Sequence, residues 1–123
     1  VADISVEQDG VHPIVAIRVR PGVQQSLADA QANVEVCIRA AGNRRCRLLV
    51  DIRRGEALSA DVRHFYSGDK LIEWFSAMAL LVNSSPVGRV MGNLYLRIAR
   101  PGVPTRLFTE ESAAMDWLRK DLI

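Results

Sequence analysis

Asp51 closes the apolar run Leu48-Leu49-Val50, and a carboxylate at the end of a strand is where α/β enzymes commonly keep an acid or a base. Arg53 and Arg54 follow almost at once. Two guanidinium groups at a strand end can grip a phosphate or a carboxylate. Ser59 and the triplet Asn83-Ser84-Ser85 put short polar side chains at expected helix starts, where exposed backbone amides and the positive end of the dipole favour anions. The pattern therefore predicts an edge that carries Asp51 to Glu56, Ser59, Asn83 to Ser85 and Thr109 to Glu111. Glu110 and Glu111 oppose an anion at the last helix, so the ligand- or partner-binding residues expected are Arg53, Arg54, Ser59, Asn83, Ser84 and Ser85. Each also has a plainer role. The serines can simply cap helices, the arginines can simply reach solvent, and Asp51 can be solvated or paired with an arginine.

Nothing else in the chain carries catalytic chemistry. His64 stands beside Phe65 and Tyr66 with no serine or cysteine partner in sight, and G-x-S-x-G, H-E-x-x-H and a Gly-rich phosphate loop are all missing. No catalytic residue is assigned, and the expectation is that the protein is not an enzyme. The histidines are His12 and His64 and the cysteines Cys37 and Cys46, without ligand spacing, so no metal and no cofactor are expected. Both thiols read as small buried side chains rather than a disulfide.

The 123 residues suffice for one domain with its own core, here taken as residues 1–123. With 49% hydrophobic and 24% charged residues, the composition is that of a folded globular chain. A net charge of +2 is too weak to argue for nucleic acid. Nearly all the positive charge is arginine, the lysines being Lys70 and Lys120; an arginine cluster can bind phosphate or carboxylate, but GC-rich coding spread over a solvated surface is the favoured explanation. Apolar runs such as Ala77 to Val82 are too short to span a bilayer, so no membrane insertion is expected. The sequence opens at Val1 without a secretory n-region and h-region. A cytoplasmic protein is expected, with an upstream residue or short leader trimmed.

The elements that must position these residues follow from periodicity. Ile4 and Val6 alternate with polar residues, Asp9-Gly10 signals a turn, and Ile14 to Arg20 continues as a second strand. Ser26 starts a helix over about Leu27 to Ala41, with Asp29 placed for a capping box and Gly42-Asn43 as the stop. Arg47 to Arg53 is the central strand. Ser59 opens a short helix carrying Val62, Phe65 and Tyr66, and Lys70 to Phe75 adds another turn or two. Ala77 to Val82 is apolar on both faces, as in a strand covered on both sides. Ser85-Pro86 starts a helix with Gly88 and Gly92 on a neighbouring face. Thr105 to Phe108 is a last strand, and Thr109 starts a final helix docked by Ala114, Trp117, Leu118 and Leu122. The order is ββαβαβαβα: an α/β fold with an N-terminal β-hairpin followed by βα units on a mixed, mostly parallel sheet.

In that order the chain resembles the STAS class, the anti-sigma factor antagonists with a SpoIIAA-like fold. It is closest to uncharacterised bacterial proteins of that fold. The resemblance covers nearly the whole chain and rests on Leu48-Leu49-Val50-Asp51-Ile52-Arg53, on Ala79-Leu80-Leu81-Val82 with Ser85-Pro86, on Pro104-Thr105-Arg106-Leu107-Phe108-Thr109, and on Trp117-Leu118. It implies a domain that docks other proteins. The antagonists carry a phosphorylatable serine in an Asp-Ser-Ser-Gly motif after the central strand. Here Asp51 is followed by Ile52-Arg53-Arg54-Gly55, so that motif is missing and Ser59 is the nearest hydroxyl. The function expected is a non-catalytic interaction or regulatory module. The alternative is a domain for a small anionic or lipid-like ligand.

Two structural expectations follow. Arg18, Arg20, Arg47, Asp51, Arg53 and Arg106 alternate with apolar residues, so one sheet face should be partly polar. Part of it is then open to water, or Asp51 pairs with a neighbouring arginine. Phe65, Tyr66, Trp74 and Phe75, with Leu58 and Leu71 nearby, either line the domain core or anchor a homodimer interface. The dimer is the reading adopted, with a protein partner as a further possibility.

Overall fold

A computed structural model describes residues 2–7, 13–22, 24–54, 59–66, 68–85 and 103–120. The expected turn at Asp9-Gly10, the helix after Pro86 with Gly88 and Gly92, and the contributions of His12, Leu58 and Leu122 lie outside the described residues. The elements are β1 (Ala2–Glu7), β2 (Ile14–Val19), α1 (Leu27–Ala40), β3 (Cys46–Asp51), α2 (Ala60–Tyr66), α3 (Asp69–Trp74), β4 (Phe75–Leu81), β5 (Thr105–Phe108) and α4 (Glu111–Arg119). The strands form one sheet in the order β1-β2-β3-β4-β5. β1 is antiparallel to β2, and β2 through β5 are parallel. This is the mixed α/β sheet that the sequence predicts.

Local chemistry explains the best-defined helix. Asp29 N–H donates to Ser26 Oγ at 3.1 Å, and Ser26 N–H donates back to the Asp29 carboxylate at 3.0 Å. That reciprocal pair satisfies two amides which the helix cannot pair itself. At the other end Asn43 N–H reaches Ile38 O at 3.0 Å and Gly42 N–H reaches Arg39 O at 2.9 Å. Gly42 and Asn43 take φ of 70° and 56°, the left-handed geometry of a Schellman stop.

The two faces of the sheet differ. On the first, Val15, Ile17, Leu48, Val50, Met78 and Leu80 pack against α1, α2 and α3 in one apolar core. On the second, Ile14, Ala16, Leu49, Ala77, Ala79 and Leu81 meet Ala114 and Leu118 of α4. Arg18, Arg47 and Asp51 share that second parity, so the partly polar face is present and lies under α4.

The aromatic expectation is corrected here. Tyr66 is 3% exposed, Leu71 1% and Phe75 0%, all in the first core, so these are not surface anchors. Phe65 and Trp74 are half-buried and pack against the same core. Two local features explain the difference. Tyr66 turns inward because its hydroxyl donates to the buried Gln25 at 2.9 Å. β4 begins at Phe75, two residues earlier than its apolar run suggests, and its register against β3 jumps from Cys46↔Phe75 to Arg47↔Ala77. The extra residue, Ser76, reverses the alternation and turns Phe75 into the first core while Ala77 faces the second.

The last helix also starts later than expected. Glu110, not Thr109, is its N-cap residue, and it makes no side-chain cap hydrogen bond. Arg47, 5% exposed at the start of β3, donates to the carbonyls of Leu118 and Lys120 and so meets the negative end of α4. Its Nε is buried without a partner among the described residues.

Candidate functional site

At the other end of α4, where β2 and β3 finish, four charged side chains converge. Parallel register sets Arg18 directly beside Asp51. Arg18 Nη1 donates to Asp51 Oδ2 at 3.2 Å and also to Glu111 Oε1. Arg53 folds back on the same carboxylate. Its backbone N–H and its Nε donate to Oδ1 at 3.1 and 3.0 Å, and its Nη2 donates to Oδ2 at 2.8 Å. Arg53 Nη2 also lies 3.7 Å from Glu111 Oε1. The Asp51 side chain is 11% exposed, against 38% and 37% for Arg18 and Arg53. The carboxylate is therefore the inner member and the arginines wrap its outer side.

Burial alone would push the Asp51 carboxyl up. The hydrogen bonds and charge of Arg53, with the charge of Arg18, outweigh that and hold it below the usual aspartate value. The hydrogen bond to Glu111 raises Arg18 further, against a desolvation that lowers it, and the bond to Asp51 does the same for Arg53. Asp51 is thus a fixed anion with both oxygens occupied, which suits it to organise arginines and not to trade protons.

Two cavities of about 280 Å³ flank the cluster and share Arg18. One lies between β1, β2 and α4, with Val6, Ala16, Glu111 and Met115 on its walls. The other lies beyond the strand ends. Arg18, Arg20, Arg53 and Arg54 stand around Asp51 there, with Pro21 closing the turn. That turn is tied across: Gly22, at φ 71°, donates its N–H to the Arg54 carbonyl at 3.0 Å. Arg20 and Arg54 are exposed.

The residues read from sequence as one edge fall into three groups. Arg53 belongs to the ion cluster, and Arg54 lines the cavity beside it. Asn83 reaches Arg53 through its side-chain amide, which donates to the Arg53 carbonyl at 3.5 Å, and its Oδ1 accepts from the Ser85 N–H at 3.2 Å. Ser84 is exposed. Ser59 donates its hydroxyl to Asp61, whose Oδ1 accepts the Val62 N–H at 3.0 Å, so Ser59 is engaged within its own helix start. The sequence places Glu111 along the same edge as Asp51 and allows Asp51 an arginine partner, but it does not show that Arg18 bridges the two acids or that Arg20 lines the cavity beside them.

Elsewhere, burial pushes the Cys37 and Cys46 thiols up to about 12, and both are free. Among the described residues no group of histidine, cysteine and acids could hold a metal ion, and no helix is long and apolar enough to cross a membrane.

Comparison with known proteins agrees with the fold. A family model described as a domain of unknown function, DUF7793, matches residues 6–121. A crystal structure of an uncharacterised DUF3478-family protein with a SpoIIAA-like fold, from Shewanella loihica PV-4, is similar at TM-score 0.67 and 17% identity. That match covers 95% of this chain and 93% of that one. It shows the fold and nothing finer. A protein of unknown function from Arthrobacter sp. FB24 is 31% identical over 94% of this chain and 91% of its own, at TM-score 0.34. No curated protein matches.

Proposed function

The chain belongs to the DUF7793 family, a domain of unknown function, and from that premise we propose that it is a non-catalytic interaction or regulatory module. Its contact surface is the edge where the strands end. The observation that carries this reading is the state of Asp51. Asp51, the carboxylate at a strand end among the described residues, takes four hydrogen bonds, three from Arg53 and one from Arg18, and keeps no oxygen for a substrate proton. The thiols are buried and protonated, which removes them as nucleophiles. What the edge offers is a set of arginines around a fixed centre, a surface suited to recognition.

The test is quantitative capture of partners from the source cells with the parent chain, with Arg54→Glu at this edge, and with Arg45→Glu at the exposed turn before β3. A partner set lost with Arg54→Glu and kept with Arg45→Glu supports the edge. No enriched partner, or equal loss with both variants, contradicts it.

Homodimer formation is part of the proposal. The half-buried Phe65 and Trp74 are the members of the aromatic group left to serve a contact. Light scattering that reports a monomer at high concentration removes it. A second reading, an anion-binding domain, is favoured by the arginine-lined cavity at the same edge. The polar walls give the lipid-like version of that reading no support.

A further inference from the structure

The geometry points to a binding site for a phosphate-type dianion in the cavity between the turn after β2 and the end of β3. This rests on the reading of that edge as a contact surface and names the chemistry it takes.

Among the described residues, four arginines, Arg18, Arg20, Arg53 and Arg54, line the space with one carboxylate, Asp51, so the described walls carry more positive than negative charge. Glu111 offsets part of this from the far side of Arg18, where it lines the neighbouring cavity. Asp51 does not fill the site. It grips Arg53 by Nε and Nη2 and Arg18 by one Nη1 proton, so each guanidinium, with five N–H donors, keeps donors beyond those bonds. It acts instead as a brace that fixes the planes of two guanidinium groups. Arg20 and Arg54 sit on loops joined by the backbone bond from Gly22 to the Arg54 carbonyl, so the loops that carry them are held in place.

The choice of ligand class follows from charge and donor number. A monocarboxylate has two oxygens and one charge, which a single arginine satisfies bidentately. A phosphate group brings a charge near −2 and three or more acceptor oxygens, which need several guanidinium groups at once. A volume of about 280 Å³ is at the low end for small-molecule pockets, and it suits a compact head group over an extended ligand. The phosphate can arrive free, on a small molecule, or on a phosphorylated side chain of a partner.

The experiment is a titration of the ¹⁵N-labelled chain at constant ionic strength with inorganic phosphate, with acetate, and with a phosphoserine peptide. Saturable shifts are expected at the amides of Arg20 and Gly22 and of Asp51 to Arg54, with acetate weaker. Arg20→Ala/Arg54→Ala should weaken phosphate about tenfold or more while keeping the folded circular dichroism spectrum, both side chains being exposed. Arg54→Lys should keep most of the binding. Tighter binding of the peptide than of the free ion identifies a phosphorylated partner as the source; equal binding identifies a small molecule. No saturable shift, acetate as tight as phosphate, or a double variant as tight as the parent overturns the proposal. If phosphate fails while Arg54→Glu still loses a captured partner, the contact surface stands and the dianion alone is removed.

Discussion

The two faces of the sheet hold their helices by different physics. Under α1, α2 and α3 the contact is mainly apolar, with Val34, Leu48, Leu71, Phe75 and Met78 each 2% exposed or less and Gln25 and Asn33 as buried polar side chains beside them. Under α4 the apolar contact is small, built on Ala114 and Leu118, with Met115 and Trp117 partly buried at its margin. Charge completes it at both ends. Arg47 holds the last carbonyls of the helix, and Glu111 in its first turn meets Arg18 and Arg53. A hydrophobic contact is indifferent to direction, while the two charged ends fix how far α4 lies along the strands. The difference teaches where function can sit: the first face is committed to stability, and the second carries the polar groups that reach the strand-end edge.

Mutations should separate the faces by size of effect. Phe75→Ala removes a fully buried ring from the first core and should cost about 3–5 kcal/mol in denaturant unfolding. A loss under about 1 kcal/mol would mean that the first core is not packed as described. On the second face Arg47→Ala should cost about 2–3 kcal/mol, because two carbonyls lose a charged donor and the stem leaves a gap. Arg47→Met should recover part of that loss by refilling the volume, as replacement of buried charge by an apolar chain often does. Chemical denaturation of both variants makes the comparison.

Much of this contrast is legible in the sequence. Alternation alone places Arg18, Arg47 and Asp51 on one face, and Ser26 with Asp29 defines the start of α1, because strand parity and helix caps are local. Topology brings Glu111 to the strand-end edge, but its specific contacts were out of reach. Glu111 meets Arg18 across 93 positions, a contact that exists because α4 runs back along the sheet with its first turn over the strand ends. Phe75 and Tyr66 read as surface aromatics because neither the extra residue at Ser76 nor the hydroxyl bond to Gln25 leaves a mark in composition or spacing.

A smaller effect is expected at the cluster itself. Asp51→Asn should destabilise by about 1–2 kcal/mol near neutral pH, a charged hydrogen-bond effect reduced because both arginines are more than one-third exposed. The pH dependence follows in sign. The folded-state carboxyl sits below its unfolded value of about 3.9, so its stabilisation is complete above that value and is lost as pH falls through the folded one. The gap between the parent and Asp51→Asn should therefore be constant from neutral pH down to about pH 5 and should close in more acid solution. A gap that widens on acidification would reverse the assignment.

The most direct test is the titration of Asp51 itself, followed at its side-chain carboxyl carbon by NMR. A carboxylate held by Arg18 and Arg53 should stay ionised through the neutral range and give its inflection below about 3.9. An inflection between about pH 5 and 8 would show a carboxyl poised to exchange protons, and would contradict the account of this edge as a fixed, non-catalytic recognition surface.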